Sequence, residues 1–425
     1  MHIITQMSLF REDNLGDLKE LYEVVDNLPY LELIYTLDQE RAEGGRQTYS
    51  NLSMFKAYIA KILFGHDSIN SLIRELNRNI QLRAFCDYEP WVDSNGKKHL
   101  APSPSAFSRF LDRLSKHEDL VRKIFDKLVL EIAEEIDDFG NILAVDGKVI
   151  ESYASPKSNK ETEKLKREKV DRRRETDANF TAKKMHHKDG TTRTVYMYGF
   201  KVHIVCDAKY ELPVHFKVTP AGNPEGEVFR EIFIDLPPLI MTRCDYVLAD
   251  KGYDATVNYE LIEEYGATAI IAKRKMWRDD VDGTRQYRNT QLIYNEKGEV
   301  FYETGEHNVE PIKLRYYGYD NSTDTLRYKF PVWIGNNKIF RIDRNEDIRI
   351  FTKVARDSIK FKNLYKKRTS VERLNGRLDR DYKFENHTIR GISKMRINVT
   401  LSLSVMLAIK LAELRSKEKD IGVAA

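Results

Sequence analysis

The chain has 425 residues, of which 41% are hydrophobic and 32% charged, a composition typical of soluble globular proteins with a large core. Its formal net charge is only +4, so total charge alone does not indicate a polyanionic partner. The positive charge is concentrated, however. Residues 353–396 contain 14 Lys/Arg against 5 Asp/Glu, and residues 156–190 contain 12 against 7. Two such segments are typical of proteins that follow a phosphate backbone.

The cysteines and the apolar segments exclude several classes of protein. Cys86, Cys206 and Cys244 lie far apart without Cys/His spacing, which argues against a zinc site and against a disulfide scaffold. The N-terminus lacks a basic region followed by an apolar run, so no signal peptide is predicted. The longest apolar run, "NVTLSLSVMLAIK", is interrupted by Lys410 and looks too short to span a bilayer. We therefore expect a cytoplasmic protein that makes no membrane contact.

Residues 1–137 are predicted to form a helical N-terminal domain. Apolar residues recur at helical spacing in "LSMFKAYIAKILFG" and in "SINSLIRELNRNIQLRAF", where Ser68 is a candidate N-cap. A third helix, "SPSAFSRFLDRLSK", starts with a Pro-Ser signal and carries Arg109. Short helices ending in one rich in Ser and Arg suggest a DNA-binding module, and an all-helical packing domain fits the same pattern.

From Asn141 onward the pattern changes to strands and then to alternating strands and helices, which predicts a mixed α/β sheet covered by helices. We assign residues 138–277 to the first part of this core and interpret the charged stretch at 157–190 as a loop. Residues 278–350, rich in Tyr, Asn and Gly, are predicted to be a β-rich insertion. Residues 351–425 complete the core with a long helix through "FKNLYKKRTSVERLNGRLDRDY" and a final helix at about 397–416.

Two aspartates follow apolar strands in the same way. Asp146 lies in "NILAVDGKVI" and Asp250 in "YVLADKGYD", each placed at the predicted end of its strand. Neighbouring strands lie about 4.8 Å apart, so the two carboxylates can be adjacent and would repel each other. A divalent cation removes that repulsion, and hard oxygen ligands suit Mg²⁺ or Mn²⁺. Alternatively, each aspartate simply caps a turn.

A third acid lies on the predicted long helix. Glu372 shares one helix face with four other polar residues at spacings of three and four: Tyr365, Arg368, Asn375 and Asp379. Such a face, on a helix that covers the sheet, is typical of an active-site wall. Glu372 and Arg368 could also form an ordinary surface pair. The occurrence of all three acids in this order, with basic residues around the third, favours a joint site.

These motifs resemble the DDE transposases of bacterial insertion sequences, in the subgroup with a Tyr-x2-Arg-x3-Glu-x6-Lys signature. "YKKRTSVE" matches this signature at Tyr365, Arg368 and Glu372. "LAVDGKVIES" and "VLADKGYD" resemble the blocks that carry the two aspartates, and "YGFKVHIVCDAKYELPVHFKVTPAGNPE" resembles the segment between them. The resemblance covers about residues 45–405, and the order of the motifs is its specific part.

The resemblance implies an α/β, RNase H-like catalytic core with a β-rich insertion, preceded by the helical domain. It implies two Mg²⁺ or Mn²⁺ ions held by Asp146, Asp250 and Glu372, cleavage at the ends of a mobile element, and strand transfer into target DNA. The partners would be double-stranded DNA, as terminal inverted repeats and as target, and a second subunit in a homodimer. The location would be the prokaryotic cytoplasm, associated with the nucleoid.

Six residues are predicted to contact DNA. Tyr365 and Arg368 follow from the signature, where a guanidinium can hold a phosphate. Trp277, within "KRKMWR", either stacks on a base or packs the insertion against the core. The full set is Tyr365, Arg368, Trp277, Lys273, Arg274 and Arg109.

One departure from the signature stands out. Its final cation falls at Asp379, so an acid replaces a group expected to hold a phosphate, and Arg380 or Lys383 are the candidate substitutes. Two alternatives to transposition remain: an RNase H-like nuclease or resolvase, and a domesticated, non-catalytic DNA-binding protein. A two-carboxylate hydrolase such as a glycosidase is disfavoured by the segregated basic charge and by only three Trp.

Overall fold

The computed structural model describes residues 16, 18–40, 49–154, 175–186, 191–275, 277, 283–305 and 309–423. Seven helices precede the sheet: α1 Leu18–Asn27, α2 Leu31–Gln39, α3 Asn51–Leu63, α4 Ile69–Arg78, α5 Ile80–Phe85, α6 Pro104–Lys116 and α7 Glu118–Glu135. The predicted start signals are confirmed, since Ser68 caps α4 and Ser103 caps α6, with Pro104 in its first turn. A two-stranded hairpin, β1 Trp91–Val92 and β2 Lys98–His99, was not predicted within this helical region.

A six-stranded mixed sheet forms the centre of the molecule. Its strands are β3 Ile142–Glu151, β4 Asn179–His186, β5 Thr192–Asp207, β6 Pro213–Pro220, β7 Tyr246–Ala249 and β8 Thr268–Ile271. β5 lies antiparallel to β3, β4 and β6, whereas β7 lies parallel to both β3 and β8. This mixed sheet, with helices α8 Glu225–Ile234, α9 Pro238–Arg243 and α10 Thr256–Glu264 between its later strands, is typical of an RNase H-like core. The predicted fold class is confirmed.

The charged stretch at 157–190 is not all loop. Residues 179–186 form β4, which pairs along its whole length with residues 192–199 of β5. The loop interpretation is therefore wrong for this part, because cross-strand pairing with β5 outweighs the polar composition that suggested a loop. Residues 155–174 and 187–190 of the stretch lie outside the described residues.

The predicted insertion is β-rich and has an apolar core of its own. One antiparallel sheet contains β9 Thr284–Gln286, β10 Leu292–Asn295, β11 Val300–Tyr302 and β12 Ile312–Lys313, and another contains β13 Arg315–Asp320, β14 Thr325–Lys329 and β15 Ile339–Asp343. Leu326, Tyr328 and Ile342 are fully buried at its centre, within a cluster separate from the main one. The domain boundaries at 137, 277 and 350 stay predictions.

The predicted long helix is two helices, α11 Ile359–Lys366 and α12 Thr369–Arg380. The prediction of one continuous helix, with Tyr365 and Glu372 on a single uninterrupted face, is therefore wrong. The helix is interrupted by a turn at 367–368, where the Lys367 and Arg368 amides donate to the Leu364 and Tyr365 carbonyls three residues back. The helical spacing holds within α12, from Glu372 to Asp379.

The last helix, α13 Ile392–Val423, is longer than predicted. Its segment Ile392–Lys417 is long and apolar enough to cross a membrane by length and composition, so the prediction of too short a run is wrong. However, 72% of its most apolar window is buried inside the protein. α13 packs between α1 and α7, and it joins the N-terminal helices and the central sheet into one apolar core.

Candidate active site

Asp146 and Asp250 are brought side by side by the parallel pairing of β3 with β7. The register pairs Ala144 with Leu248, and each aspartate lies two residues beyond that pair on its own chain segment. β3 continues to Glu151, so the prediction that Asp146 ends its strand is wrong, and the residue lies within the strand opposite Ile204 of β5. Asp250 does cap a turn: its Oδ1 accepts a 2.6 Å hydrogen bond from the Gly252 amide.

A further carboxylate, Glu225, completes this cluster and was missed in the sequence. It lies in the first turn of α8, with its Oε1 3.0 Å from Lys201 Nζ. A Cβ placed on Gly252 would lie 2.7 Å from Asp250 Oδ1 and 3.0 Å from Glu225 Oε2. The two carboxylates therefore face one small space that only a glycine at position 252 leaves open.

The negative charge of the cluster is only partly neutralised, because Lys201 pairs with Glu225 alone. Burial, together with the neighbouring Asp250 and Glu225, raises the pKa of Asp146 to about 6, against the opposing effects of the Gly147 amide and Arg368. The donor beside it is neutral, since Asn375 Nδ2 lies 3.2 Å from Asp146 Oδ2. Asn375 Oδ1 is itself buried without a hydrogen-bond partner. A cation among these oxygens would offset a real electrostatic cost.

Glu372, the third predicted acid, lies on α12 and pairs with Arg368. Arg368 Nη2 donates to Glu372 Oε1 at 2.5 Å, and the Glu372 side chain is 50% exposed. Asn375, one turn further along α12, contacts Asp146, so Glu372 lies one helical turn from the residue that reaches the cluster. The predicted Arg368–Glu372 surface pair is thus present in the structure.

Asp379, where the signature expects a cation, pairs with a lysine from the central sheet. Lys148 of β3 lies 2.5 Å from Asp379 Oδ2 and 3.4 Å from Glu385 Oε1, and its side chain is 9% exposed. Arg380 instead pairs with Asp381, and Lys383 donates to the Arg380 carbonyl. Neither predicted substitute pairs with Asp379. Lys148 follows Asp146 by two residues and so points from the same face of the sheet.

The Lys148–Asp379 pair and the Asp146–Asn375 contact hold α12 in register on β3. Four residues along a helix rise about 6 Å and two along a strand about 6.6 Å, so both contacts form together. We expect Lys148→Met to lower the free energy of unfolding by about 1–2 kcal/mol, since it leaves the partly buried Asp379 without its cation. Urea denaturation would measure this. The double variant Lys148→Met/Asp379→Leu should recover most of the loss, and an equal loss in both would contradict an electrostatic role.

The other predicted DNA-contacting residues lie in varied surroundings. Arg274 holds the turn after β7, because its guanidinium donates to the Lys251 and Gly252 carbonyls at 2.7 Å. Lys273 is 8% exposed, and burial lowers its pKa. Trp277 packs on Tyr294 at the edge of the insertion core.

Arg109 is exposed on α6, whereas Tyr365 is half-buried and stacks on Phe361. Roles of these residues in binding DNA stay predictions.

The donor set fits a divalent metal such as Mg²⁺. Asp146, Asp250 and Glu225 present hard oxygen ligands, and a Cβ on Gly252 would fill the space that the last two share. Within the described residues, no three His, Cys, Asp or Glu side chains already stand at metal-binding distances. A bound cation would therefore have to draw these carboxylates together.

Comparison with known proteins assigns the chain to a family. The model described as a transposase DDE domain matches residues 137–407, and one described as a transposase domain matches residues 6–113. A cryo-EM structure of a piggyBac transposase synaptic complex with hairpin DNA aligns with 13% identity and a TM-score of 0.38, covering 97% of this chain and 83% of that chain. No curated protein matches the sequence.

Proposed function

Because the chain belongs to the DDE transposase family, we propose that it cleaves DNA at the ends of an insertion sequence and joins those ends to target DNA. The observation that carries this proposal is the meeting of Asp250 and Glu225 around Gly252, with Asp146 beside Asp250 on the neighbouring strand and Glu372 one helical turn from the contact to Asp146. Carboxylates grouped in this way suit metal-assisted attack on phosphodiesters.

Mg²⁺ or Mn²⁺, as two ions, would be held by Asp146, Asp250 and Glu372, as the resemblance implies, with Glu225 as an added ligand. When bound, the metal supplies a nucleophile at neutral pH and charge stabilisation for the leaving oxygen. The chain's own groups prepare the site. Asn375 orients the Asp146 carboxylate, and the Gly252 amide and the Arg274 guanidinium hold the turn that carries Asp250.

Two cations would hold the DNA phosphates near these acids. Arg368 is fixed beside Glu372, and release of Glu372 toward a metal frees its guanidinium for a phosphate. Lys148 replaces the cation that the signature places at position 379, and its ammonium has a third donor beyond Asp379 and Glu385. We also propose a homodimer in the DNA complex, and a location in the prokaryotic cytoplasm on the nucleoid.

The test uses purified full-length protein, Mg²⁺, a labelled duplex carrying the inverted repeat that flanks the gene, and a supercoiled target plasmid. Cleavage at the repeat followed by joined products is the expected result. Cleavage without joining would favour the nuclease or resolvase alternative. Specific binding without cleavage would favour a non-catalytic DNA-binding protein and overturn the proposal.

Metal binding and cleavage should both strengthen with pH between about 5 and 7. Protons and metal compete for Asp146, whose pKa is raised to about 6, so a larger fraction is available as carboxylate above that pH. Isothermal titration of Mn²⁺ at pH 5.5 and 7.5, together with the pH dependence of the cleavage rate, measures this. An affinity that stays constant across this range would contradict a role for Asp146 as a ligand.

A further inference from the structure

A two-stranded ribbon extends beyond the central sheet. β4 and residues 192–199 of β5 form eight pairs, from Asn179 with Gly199 to His186 with Thr192. The pairing of β5 with β3 and β6 begins only at Gly199 and Phe200. The first half of β5 therefore has β4 as its only strand partner among the described residues, and the ribbon is about 25 Å long.

The surface of this ribbon is basic and aromatic. Lys183, Lys184 and Arg193 are exposed, and no Asp or Glu occurs at 179–186 or 192–198. Tyr196 is 71% exposed and Phe180 51%. The register places Lys184, Phe180 and Tyr196 on one face, and Lys183 with Arg193 on the other. Both faces thus carry cations, and one also carries exposed rings.

The ribbon starts near the active site. Glu151, at the end of β3, pairs with Gly199 at the base of the ribbon, and Asp146 lies five residues earlier on the same strand. That separation is about 17 Å along the strand. Another cation lies near this end of β3, where the Arg390 guanidinium is 5.2 Å from the ring centre of the exposed Tyr153.

We infer that this ribbon binds the duplex DNA adjoining the cleaved end, with its cations on phosphates and its strands in a groove. A B-DNA major groove admits a two-stranded β-ribbon, and phosphate contacts by Lys and Arg release counterions. The alternative occupant of an open strand edge is a second copy of the chain. Lys183 and Lys184 on the edge strand disfavour it, because two copies would bring like charges together.

This inference rests on the proposed function, since it presumes a DNA substrate. Its test is the triple variant Lys183→Gln/Lys184→Gln/Arg193→Gln. The matched control is Lys209→Gln/Lys217→Gln/Arg415→Gln, which removes equal charge at exposed cations paired with Asp138, Glu231 and Glu131, outside the helical N-terminal domain. The probe is a fluorescein-labelled 50-bp duplex spanning the junction of the inverted repeat with flanking DNA. Fluorescence anisotropy from 50 to 300 mM KCl gives the affinity and its salt dependence.

The ribbon variant is expected to bind at least about tenfold more weakly at 100 mM KCl, with a slope of log Kd against log salt smaller by about 2–3. The control should match wild type in both quantities, and thermal unfolding should confirm that both variants fold.

An unchanged slope in the ribbon variant, while wild type still cleaves, would overturn the ribbon and leave the proposed function standing. Loss of a wild-type dimer in DNA-free light scattering, with unchanged DNA affinity, would assign the ribbon to self-association and likewise overturn the inference. Absence of both binding and cleavage in wild type would instead reject the proposed function.

Discussion

Asp146→Asn is expected to abolish donor cleavage, by about 10³-fold or more, and at the same time to stabilise the metal-free protein. The amide keeps the shape and the contact with Asn375 but is a poor metal ligand. The folded protein holds the Asp146 proton up to about pH 6, above the ordinary range of aspartate. The stabilisation that comes from binding this proton is therefore fully present below about pH 4 and is lost as the pH rises through about 6.

Above that pH, wild type carries the cost of a buried carboxylate, and the asparagine variant does not. In urea denaturation at pH 7.5 with EDTA, we expect the free energy of unfolding of the variant to exceed that of wild type by about 2–3 kcal/mol. At pH 4 we expect the two free energies to be equal. Asp235→Asn, at an exposed position after α8, is the matched control and should change neither activity nor stability. An active Asp146→Asn protein, or one destabilised at pH 7.5, would refute the assignment of Asp146.

Glu225→Gln carries the second large effect. Removing one of the carboxylates that meet around Gly252 should weaken Mn²⁺ binding and slow cleavage, each by about 10–100-fold. Its Oε1 position can still accept from Lys201, so the local structure should persist. Titration calorimetry with Mn²⁺ measures the metal affinity without requiring turnover. A cleavage assay at saturating metal measures the effect on the cleavage rate.

Glu227→Gln is the control for this variant, because Glu227 lies in the same first turn of α8 but is exposed. It should bind Mn²⁺ as wild type does. Equal affinity of the Glu225→Gln and Glu227→Gln proteins would show that Glu225 serves only as the partner of Lys201, and that the metal is held by the remaining acids.

Much of the fold was readable from local patterns. Ser68 and Ser103 mark helix starts through side-chain hydrogen bonds within three residues, and period-two alternation marks β5 and β6. β4 was missed because its residues are polar and its stability comes from pairing with β5. The break between α11 and α12 was missed because the apolar period continues across it.

The residue types of the acid site could likewise be read from the chain, since Asp146 and Asp250 follow apolar strands and Glu372 stands in a recognisable motif. Their surroundings could not. Glu225 joins the site because α8 begins where β3 and β7 meet, and Lys148 reaches Asp379 because α12 lies in register on β3. Both contacts join residues that are far apart in the chain. Tertiary packing decides which of them meet, and no spacing within the sequence indicates it.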